Sequence, residues 1–256
     1  MSDKIVGIVP AAGKGSRLAP FPCPKELFPV GYQDFEVNGA HQKRPKVVSQ
    51  YLIENIIDAG AGRILFIVGD GKSDILKYYG NGSKFGIDIA YLYQEELSGM
   101  PGALNLAAPW TKDATVIFGM PDTIIEPSNA FSQLIDFHKK SDAVLTLGLF
   151  RTNTPGKFGM VETDAEHNVI YTVDKPAATT LTNMWGCACW SPEFTELLSE
   201  FLQKNLYTGK EIVLGDVFNY ALEKGLCVKG LLFEDGQYID IGTTDELDSA
   251  LKKFHL

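Results

Sequence analysis

The residues best suited to chemistry lie close together near the N-terminus, in the stretch GIVPAAGKGSRLAPFPCPKELFPV that runs from Gly7 to Val30. A loop of mostly small residues follows an apolar run there and consists of Ala11, Ala12, Gly13, Lys14, Gly15 and Ser16. Small residues let the backbone approach an anion closely, and successive backbone N–H groups in such a turn form an anion-binding nest. Arg17 adds a planar guanidinium that matches phosphate oxygens, and Lys25 adds a compact cation. These residue types predict a cradle for a polyphosphate.

Two familiar phosphate-binding motifs do not fit this loop. A P-loop requires the pattern GxxxxGK followed by Ser or Thr, which the chain lacks. The dinucleotide fingerprint of dehydrogenases requires a third glycine in the region that Arg17 and Leu18 occupy. A short glycine pattern by itself is most often a turn that joins a strand to a helix. The added Arg17 and Pro24-Lys25 favour phosphate binding over that structural interpretation.

The elements that must position these residues alternate between strand and helix in the first part of the chain. Apolar runs predict strands over Ile5–Val9, Arg63–Val68, Ile87–Tyr93, Ala114–Gly119 and Ala143–Phe150. Helical spacing of apolar residues predicts helices over Val47–Ala59, Ser73–Tyr79, Ala103–Ala108 and Asn129–Lys140. This alternation predicts an α/β fold, with a Rossmann-like, mixed and mostly parallel sheet and helices on both faces. Ligands of such sheets bind beyond the carboxyl ends of the strands, which indicates the loops after Val9, Val68, Tyr93 and Gly119.

The second part of the chain predicts a different order of elements. A hairpin is expected over Phe158–Asp164 and Val169–Val173, and further strands over Asn183–Trp190, Cys227–Phe233 and Tyr238–Ile241. Helices are expected over Glu193–Lys204 and Leu214–Lys224, and Thr243-Thr244-Asp245-Glu246 is a capping box that opens a last helix. The polar segment Gly31–Arg44 reads as an inserted loop. Because there is no linker or repeat, we expect a single domain over residues 1–256.

Composition excludes several classes of function. The formal net charge of −9 argues against nucleic acid as a partner, because phosphate backbones require a basic face. No apolar run approaches the ~20 residues that span a membrane. The N-terminal MSDKIVG has no apolar signal-peptide region, so a cytoplasmic location is expected. The four cysteines and four histidines show neither zinc-site nor CxxC spacing, so the cysteines are expected to be reduced thiols.

The motifs resemble one enzyme family over nearly the whole chain. GxGxR at Gly13–Arg17 and PKxLxPV at Pro24–Val30 resemble the signature of the sugar-1-phosphate nucleotidyltransferases, also called nucleoside-diphosphate-sugar pyrophosphorylases. The residues of these motifs are most similar to those of bacterial UTP–glucose-1-phosphate uridylyltransferases. The length of the chain is more similar to that of glucose-1-phosphate thymidylyl- and cytidylyltransferases. The resemblance implies two halves, a nucleotide-binding half over about residues 1–125 and a sugar-phosphate-binding half over about residues 126–256. It implies a nucleoside triphosphate and a sugar 1-phosphate as partners.

In such a reaction a sugar-phosphate oxygen attacks the nucleotide α-phosphorus and pyrophosphate leaves, so catalysis is chiefly positioning and charge neutralisation. By resemblance, Arg17 faces the β- and γ-phosphates, Lys25 spans pyrophosphate and α-phosphate, and Lys175 grips the sugar phosphate. Asp122 and Asp240 resemble the family's metal-binding carboxylates, which implies Mg²⁺ as cofactor. Taken alone, Asp122 could equally cap a helix or turn, and Asp240 could equally accept a hydrogen bond at the end of a strand. Met120-Pro121 precedes Asp122 where the family usually has a glycine.

The resemblance also implies residues that read the base and the sugar. Gln94 and Gly99 match the segment that meets a pyrimidine, although Gln94 equally suits a surface position. Gly159, Asp174 and Gly186 match sugar-contacting positions, and Asp174 replaces the family's usual glutamate. Neighbouring Trp185 suits either sugar stacking or the core. Asp216, in a segment that begins at Gly209, is expected to cap a helix rather than to touch substrate.

Three interpretations of function stay open at this point. The first is an enzyme that joins UTP or dTTP to a hexose 1-phosphate. The second uses CTP, with a sugar phosphate or another phosphorylated acceptor. The third is a regulatory paralogue that binds a nucleotide-sugar without turnover, and the retained charged residues argue against it. Members of the family often assemble as dimers or tetramers, so a second copy of the chain is one further partner to test.

Overall fold

The structure is a computed structural model that describes residues 4–205 and 211–254. In chain order the strands are β1 (Ile5–Ala11), β2 (Pro29–Val37), β3 (Ala40–Val47), β4 (Arg63–Val68), β5 (Asp88–Tyr93), β6 (Thr115–Gly119), β7 (Thr123–Glu126), β8 (Leu145–Arg151), β9 (Gly159–Thr163), β10 (Val169–Asp174), β11 (Asn183–Trp190), β12 (Val228–Leu232) and β13 (Gln237–Asp240). The helices are α1 (Val48–Asp58), α2 (Ser73–Tyr79), α3 (Gly99–Asn105), α4 (Ala108–Thr111), α5 (Ala130–Lys140), α6 (Pro192–Asn205), α7 (Leu214–Glu223) and α8 (Thr244–Phe254).

A mixed central sheet organises the fold. Its main path has the order β10-β9-β11-β6-β1-β4-β5, and β8 lies beside β11 with β12 beyond it. The strands β6, β1, β4 and β5 are parallel, so their carboxyl ends meet at one edge. Strand β11 runs antiparallel to β6 and β8 and joins the two parts of the chain in one sheet. The predicted α/β fold with a mixed sheet is confirmed.

Apolar side chains fill both faces of this sheet, because successive side chains of a strand point to opposite faces. Val6 and Ile8 of β1 belong to a core that also includes residues of α3, α6 and α7. Ile5 and Val9 belong to a second core with residues of α1, α2 and α5. Helices therefore cover both faces, as the alternating sequence pattern predicted.

A small third layer forms outside the central sheet and positions one side of the candidate site. Strands β7 and β13 pair antiparallel in a separate two-stranded sheet. A small apolar cluster contains Ile124 of β7, Ile241 after β13, Val30 of β2, Val48 of α1 and Ala250 of α8. The four residues of β7 were not predicted as a strand, because such a short segment gives no periodic pattern.

The prediction of an inserted loop over Gly31–Arg44 is wrong, because the segment forms the hairpin of β2 and β3. Its side chains are mostly exposed on both faces, so the sequence shows no apolar alternation. The turn is Asn38-Gly39, with φ of 52° and 77°. An Asn-Gly pair between two segments is a strong hairpin signal, so this turn was predictable from the sequence.

Most other elements agree with the sequence, including the hairpin of β9 and β10 and helices α5 to α8. Helix α3 begins at Gly99 rather than Ala103. Asp216 caps α7 as predicted, because its carboxylate accepts a hydrogen bond of 3.0 Å from the Val213 N–H. The amide of Glu246 donates to the Thr243 hydroxyl at 3.4 Å, in the predicted last helix. No helix within the described ranges is long and apolar enough to cross a membrane.

Candidate active site

A cleft of about 230 Å³ opens where parallel strands β1, β5 and β6 reach their carboxyl ends. It brings together several residues predicted from separate motifs, namely Ala12, Gly13, Lys25, Gln94, Gly99 and Asp122. The other lining residues are Pro10, Glu26, Leu97, Met100, Ala103, Met120 and Glu211. The position agrees with the rule that ligands bind beyond the carboxyl ends of parallel strands.

The glycine loop leaves room along one side of this cleft. A Cβ atom placed on Gly13 would meet no other atom within 4 Å, so the backbone there borders open space. Gly15 has a φ of +64°, which L side chains rarely adopt, and side-chain carbons of Lys25 lie 3.8 Å from its ideal Cβ. Ala11 is buried at the end of β1, whereas Ser16 and Arg17 are exposed. The loop thus runs beside the stem of Lys25.

Lys25 and Asp122 form an ion pair in the cleft. The ammonium of Lys25 donates to the carboxylate of Asp122, and their side chains are 16% and 6% exposed. Burial alone lowers the pKa of Lys25, but Asp122, with smaller contributions from Glu26 and Asp240, raises it above the usual value. Lys25 therefore carries its positive charge at neutral pH.

The third layer places a second carboxylate next to Asp122. In the β7–β13 ladder Asp240 pairs with Thr123, and the Ile241 N–H donates to the Asp122 carbonyl at 3.1 Å. The Gly242 N–H donates to the Asp240 carboxylate at 2.8 Å. Burial, the charge of Asp122 and the charge of Glu246 raise the pKa of Asp240 to about 6. Two carboxylates from distant segments are thus close enough to repel each other.

This donor set fits a divalent cation. Mg²⁺ keeps several waters and typically takes one or two protein carboxylates, which Asp122 and Asp240 would provide. Burial and the charges of Asp122 and Glu246 disfavour the ionised form of Asp240, which a bound cation would favour. No group of three or more His, Cys, Asp or Glu side chains suited to a metal occurs among the described residues. A more enclosed metal centre, such as a zinc site, therefore does not match the described side chains.

Arg17 lies beside the second carboxylate rather than in the lining of the cleft. A Cβ placed on Gly242 would lie 2.9 Å from Arg17 Nη2 and 3.0 Å from Asp240 Oδ1, so both groups flank this glycine. Burial raises the pKa of Glu246, but Lys157, Thr243 and, to a smaller extent, Arg17 together lower it below the usual value. The sequence could not predict this contact, because Arg17 and Gly242 come from opposite ends of the chain.

Gln94 and Gly99 occupy the other end of the cleft. Gln94 is 6% exposed, so the alternative of a surface glutamine is wrong. Its backbone N–H donates to the Val68 carbonyl at 2.8 Å, which ties the segment after β5 to the end of β4. Gly99 has a φ of +77°, and a Cβ there would lie 2.9 Å from the Ile212 carbonyl oxygen. A side chain at Gly99 would be strained for both reasons.

Lys14 and Gly15 line a second cavity of about 330 Å³, which shares Lys25 with the cleft. Its other lining residues are Ala19, Phe21, Pro22, Cys23, Pro24, Asp70, Gly71, Lys72 and Asp74. Burial and the nearby charges of Asp74 and Glu26 raise the pKa of the Cys23 thiol. The thiol is therefore protonated at neutral pH and is a poor nucleophile.

The predicted sugar-phosphate residues lie outside the lining of the cleft. Lys175 borders a separate shallow pocket of about 450 Å³ together with Lys157. The Lys175 ammonium is 3.5 Å from the Asp174 carboxylate, and its side chain is 62% exposed. Lys157 also pairs with Glu246 at 2.9 Å, which connects this pocket to the side of Asp240 and Arg17.

Gly159 and Gly186 are required by packing. An ideal Cβ on Gly159 would lie 2.2 Å from Trp185 Nε1, and one on Gly186 would lie 2.4 Å from the ring of Tyr238. Trp185 itself contacts the rings of Phe118 and Phe218 at centroid distances of 6.2 Å and 5.4 Å. These contacts favour the core interpretation of Trp185.

Sequence reasoning missed two buried charged residues at the site. Glu26 lines the cleft and Lys72 lines the second cavity, and they are 2% and 6% exposed. Glu26 stands inside the PKEL motif, but nothing local connects it to Lys72. Glu211 also lines the cleft, whereas the predicted segment's Gly209 and Lys210 lie outside the described residues.

The geometry defines an α/β protein whose cleft, at the carboxyl edge of parallel strands, combines a glycine loop, a half-buried lysine and two adjacent carboxylates. The nucleotidyl transferase family model matches residues 6–255. The chain belongs to the nucleotidyl transferase family, and the resemblance of its motifs is confirmed.

Several curated relatives are similar over most of the chain. A nucleotidyltransferase of low-salt glycan biosynthesis from Haloferax volcanii is 25% identical over 96% of this chain and 68% of its own length. A mannose-1-phosphate guanylyltransferase from Mycobacterium tuberculosis is 27% identical over 96% of this chain, which spans only 63% of that relative. A glucose-1-phosphate thymidylyltransferase from Neisseria gonorrhoeae is 24% identical over 95% of this chain and 80% of its own.

A solved structure shows the same fold. It is a crystal structure of a Bacillus anthracis protein named as a glucose-1-phosphate thymidylyltransferase, in complex with sucrose. The TM-score is 0.81 at 19% identity, over 98% of this chain and 95% of that chain. At this identity the similarity supports the fold and not the substrates.

Proposed function

We propose that the chain joins a nucleoside triphosphate, UTP or dTTP, to a hexose 1-phosphate and releases pyrophosphate. The observation that carries this proposal is the partly buried Lys25–Asp122 ion pair with Asp240 beside it, in a cleft bordered by the glycine loop. A cation and two carboxylates at one place suit a reaction in which several phosphate groups must be brought together. The family relationship supports this reaction class.

Each predicted residue has a role in this proposal. The loop from Ala11 to Ser16 offers backbone N–H groups to the triphosphate. Arg17 faces the β- and γ-phosphates, and Lys25 neutralises charge between the α-phosphate and the leaving pyrophosphate. Lys175 holds the phosphate of the sugar. The separation of Lys175 from the cleft lining implies that the two substrates approach each other from different pockets.

Mg²⁺ is the proposed cofactor, with Asp122 and Asp240 as its protein ligands. When bound, it would supply charge neutralisation to the phosphate oxygens. Lys25, which is paired with Asp122 in the structure, would then be released from that carboxylate towards a phosphate. Replacing Lys25 by arginine would not be conservative, because the planar guanidinium cannot occupy the same point-like position.

Base and sugar recognition are assigned to separate groups of residues. Gln94 and the backbone of Gly99 are proposed to contact the base, because they line the cleft beside the glycine loop. Gly159, Asp174 and Gly186 are proposed to contact the sugar. A cytoplasmic location is proposed as well, since the substrates of such a reaction are small phosphorylated metabolites.

The test is pyrophosphate release from the purified chain in the presence of Mg²⁺. ATP, GTP, CTP, UTP and dTTP are each combined with a panel of hexose 1-phosphates. GTP belongs in the panel because one relative is named as a guanylyltransferase. We expect release that requires one nucleotide and one sugar phosphate together and that stops when EDTA is added.

Other outcomes would redirect the proposal. Release without any sugar phosphate would indicate a hydrolase. Release only with CTP would favour the cytidylyltransferase alternative. If folded protein binds a nucleotide but releases no pyrophosphate with any combination, the proposed transfer is contradicted. That result would favour a regulatory binding protein.

A further inference from the structure

Two buried charged side chains beside the cleft have no role in the chemistry proposed above. The ammonium of Lys72 donates to both carboxylate oxygens of Glu26, at 2.9 Å and 2.8 Å. The two residues are 6% and 2% exposed. A buried ion pair contributes little net stability compared with apolar residues of the same shape, so stability alone gives little reason for this pair.

The pair stands between the two cavities and next to Lys25. Glu26 lines the cleft, and Lys72 lines the cavity that also contains Lys14. Glu26 follows Lys25 directly in the short 3₁₀ helix Lys25–Leu27, whereas Lys72 belongs to the loop after β4. The helix is therefore tied to the edge of the central sheet by a contact that spans 46 residues.

Further hydrogen bonds anchor the same backbone segment to α1. The Ser49 hydroxyl donates to the Glu26 carbonyl at 2.6 Å and shares a second hydrogen bond of 2.6 Å with the Tyr79 hydroxyl. The Val48 N–H donates to the Phe28 carbonyl at 2.9 Å. The segment that carries Lys25 is thus held on its α1 side and on its β4 side.

The neighbouring residues Lys25 and Glu26 belong to two different ion pairs and carry opposite charges. Lys25 is the cation of the pair with Asp122, and Glu26 is the anion of the pair with Lys72. In the proposed reaction Lys25 must leave Asp122 and reach a phosphate. The backbone of the short helix then loses the Lys25–Asp122 contact at the moment when the ammonium has to be placed accurately.

We propose that the Glu26–Lys72 ion pair is a positioning pair, which fixes the Lys25–Leu27 helix so that Lys25 can exchange Asp122 for the nucleotide phosphates without movement of its backbone. The inference rests on the proposed function only in the role of Lys25. Lys72 touches no substrate in this scheme and acts through Glu26. A misplacement of about 1 Å in a catalytic group can reduce turnover roughly 100-fold, so a weak support for this helix would be visible in the rate.

The experiment compares four proteins: wild type, Lys72→Arg, Lys72→Met, and the double variant Lys72→Met with Glu26→Gln. Lys72→Met alone leaves a buried carboxylate without its cation and is at risk of not folding. The double variant removes both charges while keeping similar volumes, and its unfolding midpoint in urea shows whether the fold is intact. Lys72→Arg keeps the charge pair.

Two readouts are measured on every folded protein. The first is kcat and KM for pyrophosphate release. The second is hydrogen exchange of the Leu27 and Phe28 amides, which donate to the carbonyls of Pro24 and Lys25 at 2.9 Å and 3.0 Å. For the double variant we expect a kcat lower by roughly 10–100-fold, a nucleotide KM within about 3-fold, and faster exchange at these two amides. Lys72→Arg should stay close to wild type in both readouts.

The outcomes separate this inference from the proposed function. A stable double variant with wild-type kcat and unchanged exchange would overturn the positioning role. A lower kcat with unchanged exchange would also overturn it, because the pair would then act on the nucleotide and not on the helix. If the wild type shows no transfer at all, the proposed function fails, and exchange alone decides: faster exchange supports the positioning pair, and unchanged exchange overturns it.

Discussion

At the scale of single residues, Lys25 is the group on which the proposed chemistry depends most directly. It is half-buried, it is cationic, and its partner Asp122 is one of the two proposed Mg²⁺ ligands. A lysine suits this position in the proposed reaction, because a compact ammonium can transfer between a carboxylate and a phosphate within one small cleft.

We predict that Lys25→Ala lowers the rate of pyrophosphate release by roughly 100- to 1,000-fold. Enzymes typically lose this much when one hydrogen-bond donor that stabilises negative charge in the transition state is removed. Lys112→Ala is the matched control, since Lys112 is exposed and lies outside the cleft lining. Circular dichroism and urea unfolding establish that both variants fold. A folded Lys25→Ala protein with near-normal turnover would contradict the assigned role.

The second prediction concerns Asp240 in the absence of metal. Its pKa is raised from 3.8 to about 6, so the folded protein holds a proton between these values that the unfolded chain releases. Its contribution therefore favours folding most at low pH and is lost as the pH rises through about 6. Asp240→Asn should raise the unfolding free energy at pH 7.5 in EDTA by about 2–3 kcal/mol and should abolish Mg²⁺-dependent transfer.

Urea unfolding of wild type and Asp240→Asn, with and without Mg²⁺, checks this prediction. Added Mg²⁺ should stabilise the wild type and have little effect on the variant. Equal stability of the two proteins in EDTA would show that Asp122 and Asp240 do not repel each other as inferred. Unchanged Mg²⁺-dependent turnover in the variant would remove Asp240 from the metal site.

At the scale of secondary-structure elements, the packing of α5 on β8 makes stability depend on pH. His138 of α5 is 6% exposed, and its Nδ1 lies 2.8 Å from the Thr146 hydroxyl of β8. Burial lowers the pKa of His138 from 6.5 to about 4. Below about pH 6.5 the unfolded chain binds a proton that the folded protein does not, so stability falls as the pH decreases towards 4.

We predict that His138→Asn removes this dependence. The amide can replace the ring nitrogen as partner of Thr146, but it does not titrate. The wild type should lose up to about 3 kcal/mol relative to the variant between pH 7 and pH 4. Unfolding free energies measured across this range check it, because the carboxylates that titrate in both proteins cancel in the difference. Parallel curves would show that folding does not lower the pKa of His138.

The elements also show where sequence patterns lose their value. Strands β1, β4 and β6 were predicted because they are buried on both faces and read as continuous apolar runs. The exposed hairpin of β2 and β3 gives no such pattern, although its Asn-Gly turn gives a local signal. Strand β7 gives neither, because it is four residues long and is stabilised by pairing with the distant β13.

At the scale of the whole molecule, binding of a nucleotide to the folded protein alone would raise the free energy of unfolding. We predict that the nucleotide that supports transfer, at 100 times its Kd with Mg²⁺, raises the unfolding free energy by about 2.7 kcal/mol. For a chain of this size that corresponds to roughly 5–10 °C in Tm.

Thermal unfolding with the nucleotide plus Mg²⁺, and with the nucleotide plus EDTA, tests this prediction. The shift should be smaller in EDTA, and smaller again in Lys25→Ala. An equal shift with and without metal would show that binding does not use the Asp122–Asp240 site. The absence of any shift at high nucleotide concentration would contradict nucleotide binding altogether.

Several individual residues of the candidate site were predictable from the sequence, but their spatial arrangement was not. The sequence identified the glycine loop, Lys25, Gln94, Gly99 and Asp122, and the structure places most of this set in one cleft. It did not identify Glu26 or Lys72, because a buried ion pair between distant segments leaves no local pattern. The prediction that Lys175 acts on the same substrates stays a prediction, since it borders a different pocket.

The sequence by itself determined most of the elements and their order, the α/β class and the family, because apolar periodicity and compact motifs record local conformation and burial. Tertiary structure decided which charges meet. Lys25 contacts Asp122 across 97 residues, and Asp240 reaches Asp122 only through the pairing of β7 with β13. Arg17 likewise lies beside Gly242, which is distant from it in the sequence. Such contacts depend on how separate segments pack, and packing is a property of the whole fold and not of any stretch of the chain.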